Sequence, residues 1–345
     1  MNKACILLLW FFSSIYFNAT AQTFRFLDSS QTGVSFRGMS IGSDGAVWVS
    51  GSKGTIGMSR DEGKSWQWVN PPGYETRDFR DIHAFDWTTA LAMAVDSPGV
   101  ILRTIDAGKT WEPVYKDDRK GIFLDALTFR NNLEGICVGD AIGGKMVVIA
   151  TRDGGKSWNA LPPAQCPDLL PGEAMFAASG SNVIPHPRSK ESYLAVTGGQ
   201  AARMWEIFPW NPKLAPKSTT LPIQQGMAFT GANAIISAKK HIMVVGGNFD
   251  KPQRSDSNFV YRVKRKPFKL LGLAGGYKSS IADNLEFIRV ACGTSGISIH
   301  SAPYGSYPKP WKVFSNERFH VVRVLPFSKN FFLAGPNGKI GMVSF

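Results

Sequence analysis

Ser59-Arg60-Asp61-Glu62-Gly63-Lys64-Ser65-Trp66, Thr104-Ile105-Asp106-Ala107-Gly108-Lys109-Thr110-Trp111 and Thr151-Arg152-Asp153-Gly154-Gly155-Lys156-Ser157-Trp158 spell one pattern, [Ser/Thr]-x-Asp-x-Gly-x-[Ser/Thr]-Trp. Their aspartates stand 45 and 47 residues apart. Recurrence at that length is the spacing of one four-stranded propeller blade, so the repeat decides the architecture before any other feature is weighed. Between two copies the text divides into four short runs. Phe79-Arg80-Asp81-Ile82-His83, Leu91 to Val95, Val100 to Thr104 and Trp111 to Val114 are each apolar or alternating and bounded by Gly, Pro, Asp or Asn, as antiparallel strands should be.

The same order runs from Phe36 to Val69 and from Leu124 to Leu161, then continues with eroded turns through Ala174 to Leu221, Gly226 to Leu271 and Ser279 to Phe314. The last segment echoes the first. Phe332-Leu333-Ala334-Gly335-Pro336-Asn337-Gly338-Lys339-Ile340-Gly341-Met342 repeats the text of Trp48 to Met58, and the chain stops after that third strand. Thr23-Phe24-Arg25-Phe26-Leu27 precedes the first inner strand as Trp66-Gln67-Trp68-Val69 precedes the second, so it supplies the missing outer strand. The expected fold is all-β, a single seven-bladed propeller over residues 22–345 whose last blade is closed by the N-terminal strand. Closure of this kind removes the sheet edges that template aggregation.

Residues 1–21 read as an export signal: Lys3, an apolar run from Ile6 to Phe17, and Ala19-Thr20-Ala21 before Gln22. The run falls short of the roughly 20 apolar residues of a spanning helix, and no later stretch reaches that length. The expected location is therefore periplasmic or extracellular, with no transmembrane segment once the signal is removed. Cys5 lies within the signal, before its Ala-x-Ala site; Cys137, Cys166 and Cys292 remain, an odd number that argues against a disulfide framework in an exported chain. Cys137 and Cys292 stand in apolar strand text, as small buried hydrophobes do. The five histidines are scattered and no His/Cys grouping has metal-site spacing, so neither metal nor cofactor is expected. The formal charge is +13, falling by Lys3 to about +12, which favours an acidic partner, an anionic glycan or a membrane surface, with nucleic acid excluded by export. Arg262 to Lys269 carries the densest positive text and reads as an alternating strand with a charged face, either solvated or a docking patch.

In a hairpin between the two outer strands of a blade, Asp61, Asp106 and Asp153 can accept N–H bonds from their own turns. The following Gly takes positive φ, the Ser or Thr adds a local bond, and Trp66, Trp111 and Trp158 pack into the blade. These are structural roles; one or two carboxylates per loop are too few for calcium. The three copies are similar to the Asp-box, or BNR repeat. With Phe36-Arg37-Gly38-Met39, Phe79-Arg80-Asp81-Ile82 and the Gly-Lys-Ile-Gly type of third strand, the chain resembles the exported photosystem II stability/assembly factor-like proteins over Gln22 to Phe345. The resemblance implies a seven-bladed propeller acting as a binding or assembly factor through its pore face. Beyond Trp158 the boxes erode, His300-Ser301-Ala302-Pro303-Tyr304-Gly305 being a trace, and no photosynthetic partner is carried over.

Propeller sites gather where the inner strands begin and where loops join second to third strands. The first set gives Arg37, Arg80, Asp125, Glu173, Gln225, Ser280 and His320; the second adds Asp96, Asp140, Gln200, Arg203 and Asn248. Arg37 and Arg80, equivalent in successive blades, either grip a carboxylate or sulfate together or bridge to neighbouring acids such as Asp81 and Asp125. Arg37, Arg80, Asp140, Arg203, Gln200, Asn248 and His320 are the expected ligand contacts, the partner being an envelope protein or acidic polysaccharide and the propeller a monomer. The alternative is a glycoside hydrolase or lyase that pairs two of Asp96, Asp125, Asp140 and Glu173 across a scissile bond. A sialidase pattern is absent: there is no Arg-Ile-Pro, and Tyr74-Glu75 falls between blades. Dinucleotide and haem-attachment fingerprints are also missing, which speaks against an oxidoreductase.

Overall fold

The computed structural model describes residues 22–272, 275–301 and 310–345. The export signal, Cys5 and residues 302–305 of the eroded last box lie outside them. Seven antiparallel blades follow one another. Blade 1 is Phe36–Ile41, Val47–Gly51, Ile56–Ser59 and Gln67–Val69; blade 2 is Phe79–Ala84, Ala90–Ala94, Gly99–Thr104 and Glu112–Asp117. Blade 3 is Leu124–Phe129, Gly135–Ile142, Lys145–Thr151 and Asn159–Ala160; blade 4 is Val183–Pro185, Tyr193–Val196, Arg203–Ile207 and Lys217–Thr220. Blade 5 is Thr230–Ala238, His241–Asn248, Phe259–Val263 and Lys269–Leu270; blade 6 is Ser280–Asp283, Ile288–Gly293, Gly296–Ser301 and Lys312–Ser315. Blade 7 takes Val321–Val324, Asn330–Ala334 and Ile340–Ser344 from the C-terminus and Thr23–Asp28 from the N-terminus, with Phe24 opposite Val343 and Phe26 opposite Gly341. The terminal clasp is thus present. No helix among the described residues is long and apolar enough to cross a membrane.

Blades pack face to face, so second strands are covered on both sides and lose the alternation of a half-exposed sheet. Leu91, Ala92 and Met93 are all fully buried for this reason. Each interface mixes neighbours: Trp48, Ile56 and Met58 of blade 1 pack on Phe79, Ile82, Ala92 and Leu102 of blade 2. Cys137, Cys166 and Cys292 are free and buried.

The repeated turns are closed from within. Asp61 Oδ1 accepts the Ser65 N–H (2.8 Å) and the Ser59 hydroxyl (2.9 Å), and Oδ2 accepts the Ser65 hydroxyl (2.6 Å). Ser59 Oγ in turn accepts the Gly63 N–H at 2.8 Å. Asp106 with Thr104 and Thr110, and Asp153 with Thr151 and Ser157, reproduce these bonds. The bonds from Ser65 hold the Asp61 carboxyl down at about 2. Gly63, Gly108 and Gly155 have φ of 81°, 80° and 75°. Trp66 and Trp111 donate Nε1–H to Gly63 and Gly108 carbonyls, whereas the buried Trp158 Nε1 makes no such bond.

Two sequence expectations need correction. Arg262 to Lys269 is no single strand: it is the end of one strand, a turn at Lys264 to Pro267, and the start of the next, because Lys264 takes a φ of 56°. The inner strand of blade 4 begins at Val183, not at Glu173. Glu173–Ala174 instead pairs with Gly198–Gly199, which adds to the inner edge of blade 5. The chain between, Met175 to Asn182, crosses the central channel. Ser179 Oγ donates to the Ser279 carbonyl of blade 6 (2.6 Å), and Arg323 of blade 7 donates to Ser181 Oγ (2.8 Å) and the Ser179 carbonyl (3.0 Å). Gly180 lies against Asp81 of blade 2, whose Oδ2 accepts the Leu127 N–H of blade 3 at 2.8 Å. The crossing segment forms a septum between an upper cavity of about 470 Å³ and a lower one of about 270 Å³.

Candidate functional site: a cationic mouth above the septum

Four inner strands carry a bulge at the same point. In blades 1, 2, 3 and 5 the ladder shifts around Arg37, Arg80, Asp125 and Asn233, each flanked by paired neighbours. A bulge removes its extra residue from the ladder and re-aims its side chain, and at three of the four positions, Arg37, Arg80 and Asn233, that side chain reaches the channel. Arg37, Arg80 and Asn233 line the upper cavity with Ser279 and His320 from blades 6 and 7. Phe123, Met175, Phe176, Phe249 and Tyr277 form its apolar walls, and Asp140 enters from blade 3.

Arg37 makes no hydrogen bond or ion pair with any described residue. Burial and then the neighbouring Arg80 charge lower its pKa and outweigh the opposing pull of the Asp78 carboxylate, which Arg37 shares with Arg80 without bonding it. Arg80 is anchored by one edge: Nε donates to Asp78 Oδ2 at 2.8 Å, and the guanidinium lies 5.8 Å from the Phe123 ring, leaving its terminal nitrogens unbonded. The bridges to Asp81 or Asp125 allowed by the sequence are not made. Burial, then Arg37 and Arg80, push His320 down to about 3, so its imidazole is neutral at pH 7. Burial raises the Asp140 carboxyl, which accepts the Met175 N–H at 2.8 Å. Tyr277, its hydroxyl accepting from Asn233 Nδ2 at 3.0 Å, is raised by burial.

Of the other residues expected from sequence, several lie elsewhere. Asp125 is wholly buried below the mouth, and burial together with Asp140 raises it well above the usual carboxyl range. Glu173 is buried and bound by Arg203, the Thr197 hydroxyl (2.6 Å) and Trp205 Nε1 (3.2 Å). Arg203 is therefore occupied: Nε reaches both Glu173 oxygens at 3.0 Å, and the guanidinium stacks 4.3 Å from the Trp205 ring. Asn248 Oδ1 accepts the Lys251 N–H (2.7 Å). Gln200 is exposed at the rim against Gly172, Gln225 accepts the Ala202 N–H, and Ser280 faces the septum. Asp96 is exposed and outside the cavity lining. Of the four carboxyls paired in the hydrolase alternative, only Asp140 reaches the cavity, whereas glycoside hydrolysis needs two facing the bond. Asn233 was missed in sequence: Ala232-Asn233-Ala234-Ile235 shares no residue with Phe36-Arg37-Gly38-Met39, and the common bulge shows only in the strand register.

Among the described residues no cluster of three His, Cys, Asp or Glu is arranged to hold a metal. No protein-family model matches the chain, and no curated protein does. Solved structures do match. One described as "YCF48 bound to D1 peptide" has a TM-score of 0.66 at 14% identity, covering 95% of this chain and 96% of that one. YCF48 from Cyanidioschyzon merolae gives 0.66 at 13%, covering 93% and 98%; the Neurospora crassa Pan2 WD40 domain gives 0.62 at 12%, covering 90% and 89%. At these identities the likeness establishes the propeller fold.

Proposed function

We propose that this propeller is a non-enzymatic binding or assembly factor that holds an acidic segment of an envelope protein in the cationic mouth. The observation that carries this reading is Arg37, a guanidinium that no described residue bonds, beside the free terminal nitrogens of Arg80 in an apolar-walled cavity, the two arginines sharing the single carboxylate of Asp78. Such a pair gives a carboxylate two charge-assisted contacts at little reorganisation cost, because Asp78 already fixes one arginine. Phe123, Phe176 and Phe249 would cover the apolar part of the same segment. The YCF48 structure bound to a peptide of D1 supports a protein partner over a glycan.

Titration of the full chain with a set of acidic and amidated peptides tests the reading. Binding is expected for peptides bearing a carboxylate, lowered about ten- to hundredfold by Arg37→Gln, the range of a lost charge-assisted bond. Acidic peptides that bind Arg37→Gln and Arg80→Gln as tightly as the native protein would remove it. A hydrolase would instead release new chain ends from acidic polysaccharides, and Asp140→Asn would stop that release.

A further inference from the structure

We propose that the face opposite the cationic mouth docks on an anionic lipid surface. The inner strands begin at the mouth, so the hairpins joining inner to second strands, and the turns joining third to outer strands, all emerge at the other end of the ring. On that face Trp87 of blade 2, Leu133 of blade 3, Phe287 of blade 6 and Phe327 of blade 7 occupy inner-hairpin tips and are 37%, 58%, 51% and 67% exposed. In blades 4 and 5 the tips are basic instead. Arg188 and Lys240 stand on the inner hairpins, and Lys264, Arg265 and Lys266 on the turn of blade 5, all exposed.

The basic tips are fastened to one another. The Lys264 N–H donates to the Lys240 carbonyl at 2.7 Å, and Arg188 Nη2 donates to the Lys264 carbonyl at 2.8 Å. Fastening concentrates like charge that would otherwise spread, and none of these five side chains has an acidic partner among the described residues. Several acids of the same face are engaged: Asp61, Asp106 and Asp153 hold their own turns, and Glu134 faces Arg152. Glu62 and Glu191 meet only the Asn330 and Asn211 amides, and with Glu286 they leave the positive charge concentrated at the blade 4 and 5 tips in excess rather than unopposed. Trp87 lies 4.0 Å beneath the Arg60 guanidinium, a pairing of aromatic body and cation suited to the headgroup zone.

The distribution of these groups selects the partner. A protein interface buries a contiguous apolar centre, whereas here single apolar tips are separated by polar hairpin residues around a ring. A soluble polyanion satisfies the charges but has no use for the tips. A bilayer accepts separated tips along a plane, and its anionic headgroups meet the lysines and arginines. Docked in this way the propeller presents Arg37 and Arg80 away from the membrane, open to a partner.

Co-sedimentation of the full chain with vesicles of phosphatidylcholine, alone or mixed with phosphatidylglycerol, tests the proposal. Binding is expected on the mixed vesicles and weakens with salt. A variant combining Lys240→Glu, Lys264→Glu, Arg265→Glu and Lys266→Glu should partition at least about tenfold less. A second variant, Trp87→Ser with Phe287→Ser and Phe327→Ser, should lose affinity to a similar degree on the same vesicles while keeping the native thermal midpoint. Equal binding to both vesicle types, no binding to either, or native binding by either folded variant would each overturn it. Retention by the serine variant with full competition by dextran sulfate would assign the basic tips to a soluble polyanion instead.

Discussion

Asp81 of blade 2 sits between Leu127 of blade 3 and Gly180 of the septum, and its carboxyl is pushed up to about 7 by burial, against the opposing pull of the Leu127 N–H, Arg323 and the Ile82 N–H. A carboxyl raised above its unfolded value near 3.8 gives stability that is full below that value and lost as pH rises through the folded one. Urea unfolding should therefore show stability falling between about pH 4 and 7, by at most about 4 kcal/mol at 1.36 kcal/mol per unit, and Asp81→Asn should flatten that slope. An unchanged slope in the variant would place the titration elsewhere. Glu173 has the opposite sense: burial raises it, but Arg203, Thr197 and its other donors outweigh burial and hold it down. Its contribution is present above the unfolded value and fades as pH falls. Glu173→Ala should cost about 3–5 kcal/mol, since Arg203 is left without its partner, while peptide binding at the mouth is retained in the folded fraction. Arg37 and Arg80 were legible because blade repetition puts them at one position of one motif. The Glu173–Arg203 pair was not, because thirty residues and two loops separate its members and nothing local encodes their contact.

The septum is the element on which sequence reading went astray, and its composition explains why. Phe176-Ala177-Ala178-Ser179-Gly180-Ser181 has neither turn text nor alternation strong enough to contradict an inner strand. Small residues are nonetheless what a segment needs to pass between seven converging strands. Gly180 has a φ of 61°, and a methyl group there would collide with the Asp81 carboxyl. Gly180→Ala should destabilise by at least about 2 kcal/mol, combining left-handed backbone strain with displacement of the acceptor for Leu127. In an Asp81→Ala background the same substitution should cost clearly less, because the colliding group is gone. Full additivity, measured by a double-mutant cycle in urea, would show that the two residues do not meet. The blade count, by contrast, was open to reading since three internally bonded turns repeat at fixed spacing.

Across the whole molecule, ring closure draws on one strand from the N-terminal side of the chain, Thr23–Asp28. Thr23 to Asp28 covers Ile340–Ser344, and Phe24 sets its ring edge-on to Phe319 at 5.9 Å, tying the clasp to the core between blades 6 and 7. Without it, the strand Ile340–Ser344 would present an unpaired apolar edge, the arrangement that recruits other chains. A chain beginning at Ser29 should melt at lower temperature than the full chain and associate as its concentration rises, measured by circular dichroism and light scattering. A peptide of residues 22–28 binds only the closed form, so adding it should raise the midpoint with the logarithm of its concentration. The same peptide with Phe24→Asp should not, because the charge would enter the Phe319 contact. If the shortened chain melts and scatters as the full chain does, the ring is held by the inter-blade cores alone and the clasp serves only to cover an edge.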